Sequence, residues 1–386
     1  MPSPGQPTST VSEAYSCATR RGLALRIVYT STYCWPEVRR GGERYLHEAA
    51  AALSRRGHNV RILSTGPQVS RCEVLGVPVN RVRRLEWRPK RNGALARERG
   101  FGIQAQTRLT WAGLDVWHAL TIPDAAAATA AGRLRPALRT VYTELGFPAR
   151  ASKAKRPDHP SYERIARHVD SFLCLSEATG QFLARDYGRR PTILGGGVDL
   201  RRFQPAAARH EHPALLFVSD ASEPRKNLQL LLSAIPAVRR RFPKLELWLL
   251  GPGDPRSALS AAGSAADAAT VVKEADDDEI RDRLGRAWAT ILPSRNEAFG
   301  LAALESLAAG TPVVVLEGEP PAELVDHGTG VVSQEEPAAL ANACAEALEL
   351  ARRTDTAARC RARAEPYDWD TSLAPRLEAV YQGREG

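Results

Sequence analysis

"NEAFGLAALESLAAGTPVVV", residues 296–315, runs a small-residue helical pattern straight into a β-branched stretch. A helix feeding a buried strand through a Gly-Thr-Pro break is the grammar of a parallel α/β sheet. Two carboxylates interrupt it. Glu297 precedes the apolar periodicity and belongs to a loop or first turn, whereas Glu305 lies eight positions on, a little over two helical turns. The neighbours of Glu305 are Ala, Leu and Ser, so an unpartnered charge there would be costly. Free N–H groups at a helix entrance suit phosphate or hydroxyl oxygens, and carboxylates accept hydrogen bonds from sugar hydroxyls. Glu305 suits a vicinal diol such as a ribose. The plainer alternative is a helix-capping acid followed by a solvated one.

The same grammar extends outward. "ALLFVS" (214–219), "LELWLLG" (245–251), "ATILPS" (289–294) and "TPVVVLEG" (311–318) read as strands. "NLQLLLSAIPAVRRRF" (227–242), "RLGRAW" (283–288) and "GLAALESLAAG" (300–310) read as helices between them. The first half repeats the alternation. "LALRIVYTS" (23–31) is a strand, and a loop with Gly41 and Gly42 leads to the helix "ERYLHEAAAALSRRG" (43–57). "NVRILST" (59–65), "LDVWHAL" (114–120), "RTVYTE" (139–144) and "SFLCLS" (171–176) are further strands, with "DAAAATAAGRL" (124–134) helical. "GGGVDLRRFQPAAARHEHP" (195–213) is the linker by its glycines, prolines and charge. Two Rossmann-like α/β domains facing across a cleft follow, with ligands at the C-terminal ends of the strands.

Composition narrows the classes. A chain of 386 residues with 43% hydrophobic content can bury two cores, and no apolar run approaches the roughly 20 residues that span a bilayer. The first 22 residues are rich in Ser, Thr and Pro without an apolar core, which reads as a disordered tail and not a signal peptide. The six cysteines are scattered, with no C-x-x-C pair, so reduced thiols, no metal site and a cytoplasmic location are expected. The net charge of +9 is uneven: residues 1–200 hold 31 Lys plus Arg against 16 Asp plus Glu, a net of +15. The densest stretch, "NRVRRLEWRPKRNGALARERG" (80–100), suits an anionic partner or a membrane face, or simply decorates a solvated surface. Nucleic acid is not expected, because the basic half lacks the interleaved aromatics of a single-strand platform.

Two more stretches carry chemistry. Adjacent Gly41 and Gly42 before a helix let backbone approach a ligand, although tight turns account for most such pairs. "FVSDASEPRKNLQLLL" brings Arg225 and Lys226 to a helix start, where two cations suit a diphosphate or merely charge a loop tip.

Taken together, these phrases resemble the retaining GT-B glycosyltransferases of glycosyltransferase family 4, whose signature is E-x7-E. "EAFGLAALE" is similar to that signature, and "ILPSRNEAFGLAALESLAAGTPVVV" matches nearly throughout. "LRIVYTSTYCWPEVRRGGERYLHEAAAALSRRGHNVRILST" resembles the opening unit, "GGGVDLRRFQP" the interdomain phrase and "LWLLGPGDP" the G-x-G segment. "YDWDTSLAPRLEAVYQ" resembles the closing helix, so the likeness covers about residues 23–385. The resemblance implies a tail (1–22), an acceptor-binding domain (23–200), a nucleotide-sugar domain (201–366) and a final helix (367–386) packed back on the first.

It also implies roles. Glu297 would contact donor-sugar hydroxyls and Glu305 the ribose, while backbone N–H groups around Phe299, Gly300 and Leu301 hold sugar and phosphate oxygens. Lys226 with Arg225 would bind the diphosphate, Gly41 and Gly42 would line it, and His118 would sit near the reacting sugar. Transfer would retain anomeric configuration, with neither metal nor cofactor beyond the UDP- or GDP-sugar itself. The acceptor would be a small molecule or a lipid-linked glycan, with peripheral contact at the inner membrane face. The chain departs from the pattern at Ser219-Asp220 in place of Gly-Arg, at Leu145 in place of a histidine, and at Gly195-Gly196 in place of Pro-Asn. These departures leave a catalytically weak nucleotide-sugar-binding protein as the alternative.

Overall fold

The computed structural model describes residues 24–38, 40–85, 93–146, 159–273 and 275–384; the expected tail and residues 86–92 of the basic stretch lie outside them. In chain order the elements are β1 (Arg26–Thr30), α1 (Gly41–Arg55), β2 (Asn59–Gly66), β3 (Ser70–Val74), β4 (Val77–Arg83), α2 (Gly93–Leu109), β5 (Val116–Ala119) and α3 (Ile122–Leu134). Next come β6 (Arg139–Glu144), α4 (His159–His168), β7 (Ser171–Cys174), α5 (Glu177–Tyr187) and β8 (Thr192–Ile193). The second half holds β9 (Ala214–Val218), α6 (Leu228–Arg241), β10 (Glu246–Leu250), α7 (Arg256–Ala261), β11 (Ala269–Val272), α8 (Asp277–Arg286), β12 (Ala289–Leu292) and α9 (Leu301–Ala308). It closes with β13 (Val313–Leu316), β14 (Gly330–Ser333), α10 (Pro337–Leu350), α11 (Thr356–Ala364) and α12 (Ala374–Tyr381).

The strands form two sheets. The first runs β3-β4-β2-β1-β5-β6-β7-β8, parallel apart from the β3–β4 hairpin, and the second runs β11-β10-β9-β12-β13-β14, parallel throughout. Parallel strands are covered on both faces, which explains the unbroken apolar runs: Ile27, Val28 and Tyr29 of β1 and Val313, Val314 and Val315 of β13 are all buried. Strand order reverses at β1, between β2 and β5, and at β9, between β10 and β12. Such switch points open a crevice beyond the strand ends, where open α/β sheets bind ligands. The loops entering α1 and α9, and the turn after β9, all start from strands at these two places.

The hairpin and several helices have no counterpart in the sequence reading. The β3–β4 turn uses Leu75 (φ 51°) and Gly76 (φ 77°), both left-handed. This is the mirror-image turn that matches strand twist, but Leu-Gly is not a typical sequence for it. The helix read over 283–288 actually begins at Asp277, whose neighbour Asp276 caps it by accepting from Glu279 N, and ends at Arg286. Gly41 and Gly42 are not a loop before α1 but its first two residues.

One apolar cluster runs from Ile27 and Leu46 through Leu304 and Leu307 to Trp369, Leu377 and Tyr381, joining both sheets. The linker crosses it closely. Val198 N donates to Tyr367 O, and Val198 O accepts in return from Trp369 N. A Cβ on Gly197 would overlap the Trp369 indole, and one on Gly196 would stand 2.6 Å from both Leu301 and Phe299. A Cβ on Gly195 would stand 2.8 Å from the Tyr367 ring, so both glycines that depart from the family phrase, Gly195 and Gly196, are demanded by the bulk packed against them.

Candidate active site

The turn after β9 is built to hold its cations. Asp220 turns into its own loop. Its Oδ1 accepts from Ser222 N (2.9 Å) and Ser222 Oγ (2.6 Å), closing an Asx turn. Ala221 N donates to Pro252 O, which ties the turn to the loop after β10. Arg225 and Lys226 follow in a short 3-10 turn, ended by Asn227 at φ 57°. Arg295 N donates to Arg225 O (2.8 Å), so this turn and the approach to Glu297 are one unit.

Glu297 lies in the loop between β12 and α9, not in the helix. Its Oε1 accepts from Lys226 Nζ and, at 3.1 Å, from Arg225 Nη1, while its N–H donates to Glu319 Oε2. Arg225 is shared with Glu223. Lys226 and Glu297 keep 17% and 13% of their side-chain surfaces, so the pair is neither dry nor freely solvated. Gly300 enters α9 at φ 95°, with Pro321 where a Cβ would go. No side chain caps α9, which leaves first-turn N–H groups for an anion. Phe299 is buried edge-on against Tyr367, 5.4 Å between centroids. Leu301 reaches across to the other domain, where a Cβ on Gly41 would stand 3.1 Å from its Cδ1.

Glu305 has the partner its apolar surroundings require, and it comes from the first domain. Arg44 Nη1 pairs with Glu305 Oε1, whose side chain is 8% exposed. Arg44 Nη2 lies 3.7 Å from Asp277, which also pairs with Arg202. The Glu305 carboxylate is the chief cause holding the Arg44 guanidinium charged, and it raises its pKa. On the same face of α1, Glu48 accepts from Trp369 Nε1 (2.9 Å), and burial pushes its carboxyl up to about 7. Sequence reasoning missed Arg44; its signal was a cation one turn inside the helix that the glycine pair opens.

His118, which the resemblance puts near the reacting sugar, has no exposed surface. Nδ1 meets Tyr381 Oη (2.8 Å), Nε2 meets Thr143 Oγ1 (2.6 Å), and the ring stacks on Tyr29 at 4.5 Å. Burial lowers its pKa to about 3, so the imidazole is neutral. The reason is α12, which lays Tyr381 over the end of β5. Gly42 faces Leu145, whose Cδ1 lies 3.4 Å from where a Cβ would be. Leu145 thus occupies ground beside the glycine pair. Among the described residues, no group of three His, Cys, Asp or Glu could hold a metal ion, and no helix is long and apolar enough to cross a membrane.

Comparison with known proteins assigns both halves. The family model described as "Glycosyltransferase Family 4" matches residues 39–202, and "Glycosyl transferases group 1" matches residues 212–350. A phosphatidyl-myo-inositol mannosyltransferase of Propionibacterium freudenreichii is 28% identical over 56% of this chain and 57% of its own length. The glycogen synthase of Mycobacterium tuberculosis is 29% identical over 94% of this chain and 96% of its own. Among solved structures, sucrose-phosphate synthase from Thermosynechococcus elongatus superposes with a TM-score of 0.76 at 20% identity, covering 92% of this chain and 98% of that one. Anabaena HepE in complex with UDP and glucose gives 0.70 at 15% identity, covering 93% and 100%. With one family model on each sheet domain and GT-B structures matching nearly end to end, the chain belongs to the group 1, family 4 glycosyltransferases.

Proposed function

We propose that the protein is a retaining glycosyltransferase moving a sugar from a nucleoside diphosphate sugar to an acceptor hydroxyl. The observation that carries this reading is the meeting of Lys226, Arg225 and Glu297 at the uncapped start of α9. A diphosphate arriving there takes up the two cations and the helix N–H groups, releasing Glu297 to accept from sugar hydroxyls. Glu305, deeper along α9, takes the ribose diol. Gly41, opposite Leu301, lets backbone close over the phosphates, with Gly42 beside it.

Stabilisation of the leaving diphosphate falls to Lys226, Arg225 and the helix dipole, which act where negative charge develops. In this reading the donor phosphate itself takes the acceptor proton on the face the leaving group vacates, so configuration is retained and Glu297 orients the sugar. His118 takes no part as a contact; it holds the floor of the first domain. Asp220 shapes the turn that presents the cations, so its presence in place of arginine does not by itself argue for a weak catalyst.

Structural neighbours were solved with UDP and UDP-glucose, which supports a nucleotide-sugar donor. The relatives' names point to unlike acceptors, a phosphatidylinositol and a glucan. The net charge of +15 over residues 1–200 favours a neutral or anionic acceptor, small or lipid-linked, at the cytoplasmic face. A thermal-shift screen against UDP-, GDP-, ADP- and dTDP-sugars tests the donor. One class should raise Tm in proportion to the logarithm of its concentration, and a flat response to all four would remove the reading.

A further inference from the structure

The starts of α1 and α9 face each other across the two domains in register. Gly41 lies against Leu301, and one turn deeper Arg44 meets Glu305. Arg44 is the cation that this contact delivers from the first domain. Its guanidinium also sees Asp277 at 3.7 Å and lies 6.0 Å from the centre of the Trp35 ring in the loop after β1. Among the described residues, Arg202 of the linker and Arg281 of α8 also face this cluster. Arg202 pairs with Asp277 and stands 3.7 Å from Glu48, and Arg281 interacts with Asp277 and Asp276.

If Glu305 takes a ribose diol, both of its oxygens are needed, and Arg44 occupies Oε1. Displacing Arg44 without a new partner would strand a cation in a site largely closed to water, at a cost that buried pairs make severe. The diphosphate supplies that partner. Under the proposed function it sits at Gly41 and Leu301, one helical turn (~5.4 Å) before Arg44 and Glu305 along α1 and α9.

We propose that Arg44 is a donor-positioning residue lent by the first domain, competing with the ribose for Glu305 and moving onto the diphosphate as the ribose binds. The inference rests on the reading of Glu305 as the ribose acceptor. It makes Arg44 a domain-closing element: the donor would be gripped from the second domain by Lys226 and Arg225, and from the first by Arg44. Because the guanidinium leaves a carboxylate to gain a diphosphate, its effect depends on whether the ligand carries phosphate at all.

The test uses the full chain and isothermal titration with UDP, GDP, ADP and dTDP, then competition by the nucleoside of whichever diphosphate binds. Arg44→Gln should weaken the nucleoside diphosphate about tenfold or more, as expected for one charge-assisted contact, while nucleoside affinity is unchanged or improved. Arg44→Lys should recover part of the diphosphate affinity, since it keeps the charge and loses the fork. Equal losses for nucleoside and diphosphate would overturn the exchange, because Arg44 would then only hold Glu305 in place. Unchanged diphosphate affinity in Arg44→Gln would also overturn it. If the wild-type chain binds none of the four diphosphates, the donor reading fails and this inference falls with it. Failure confined to the variants leaves the donor reading standing. Melting curves of each variant distinguish misfolding from lost contacts, and the nucleoside-to-diphosphate ratio is unaffected by a loss of folded protein.

Discussion

Two sets of contacts cross between the domains, and they are made of different material. The seam beneath the first sheet is apolar at heart: Trp369, Leu373 and Leu377 are buried against α1 and its neighbours. Charged groups along its edge pair within the chain. Arg55 pairs with Asp370, Arg56 and His58 with Glu378, and Arg376 donates to the carbonyls of Ile193 and Leu194. The cleft face is polar: Arg44 on Glu305 and Glu323 on the first N–H groups of α5 cross between the domains, and beside them Lys226 and Arg225 hold Glu297 within the second domain. Apolar burial is non-directional and permanent on the timescale of a reaction. Ion pairs are replaceable whenever a ligand offers an equal charge. The difference teaches that the seam holds the two domains together, whereas the cleft contacts are those a donor can exchange.

Breaking the cleft set should cost activity with little change in stability. Glu297→Ala is expected to lower kcat by roughly 10²–10³-fold, the scale of losing one well-placed polar contact at a reacting centre. Its Tm should stay near that of the wild type, and steady-state transfer assays beside melting curves read both. Breaking the seam should do the reverse. Trp369→Ala removes a buried indole and its hydrogen bond to Glu48, for a loss of about 3–5 kcal/mol, with the affinity of the folded fraction for nucleotide nearly unchanged. A denaturant titration combined with nucleotide titration would contradict the division if both fell together. Glu305→Ala is the sharper case, since this residue serves both the closure and the donor. It should weaken nucleotide binding by roughly tenfold and also lower Tm, because Arg44 loses its buried partner.

The smallest effect is a pH dependence within the seam. Burial raises the Glu48 carboxyl from its ordinary value to about 7. A raised acid favours folding fully below its unfolded pKa, near 4.5, and that contribution is lost as pH climbs through 7. Glu48→Gln keeps an oxygen for Trp369 Nε1 and removes the titration. The variant should therefore gain Tm relative to wild type as pH rises from 5 to 8, and a constant difference across that range would show that Glu48 titrates normally.

Much of this was legible along the chain, and specific residues show where legibility stopped. The strand "RTVYTE" appears at its read boundaries as β6, because a short β-branched run between breakers has few other outcomes. Glu305 was read as a charge that needed a partner, from its apolar neighbours alone. That the partner is Arg44, 261 positions earlier, follows only once the two helices start opposite each other. Asp220 read as a foreign acid at a phosphate site; the Asx turn it makes with Ser222 depends on backbone torsions that spacing does not record. His118 carries a place near the reacting sugar from the family resemblance, and its burial under Tyr381 follows only from the docking of α12.

The sequence by itself therefore determined the alternation of strands and helices, the two largely parallel sheets, and the presence of one acid and two cations at loops beyond strand ends, with a second acid in the helix that follows. Backbone periodicity and burial are local properties, repeated every two or 3.6 residues, and a reader needs no long-range information to see them. Tertiary structure alone decided which cation meets which acid, which histidine is sealed away, and which glycines make room for Trp369 and Phe299. Those outcomes depend on how closely two domains approach, a distance set by packing across the seam and carried by no single stretch of chain.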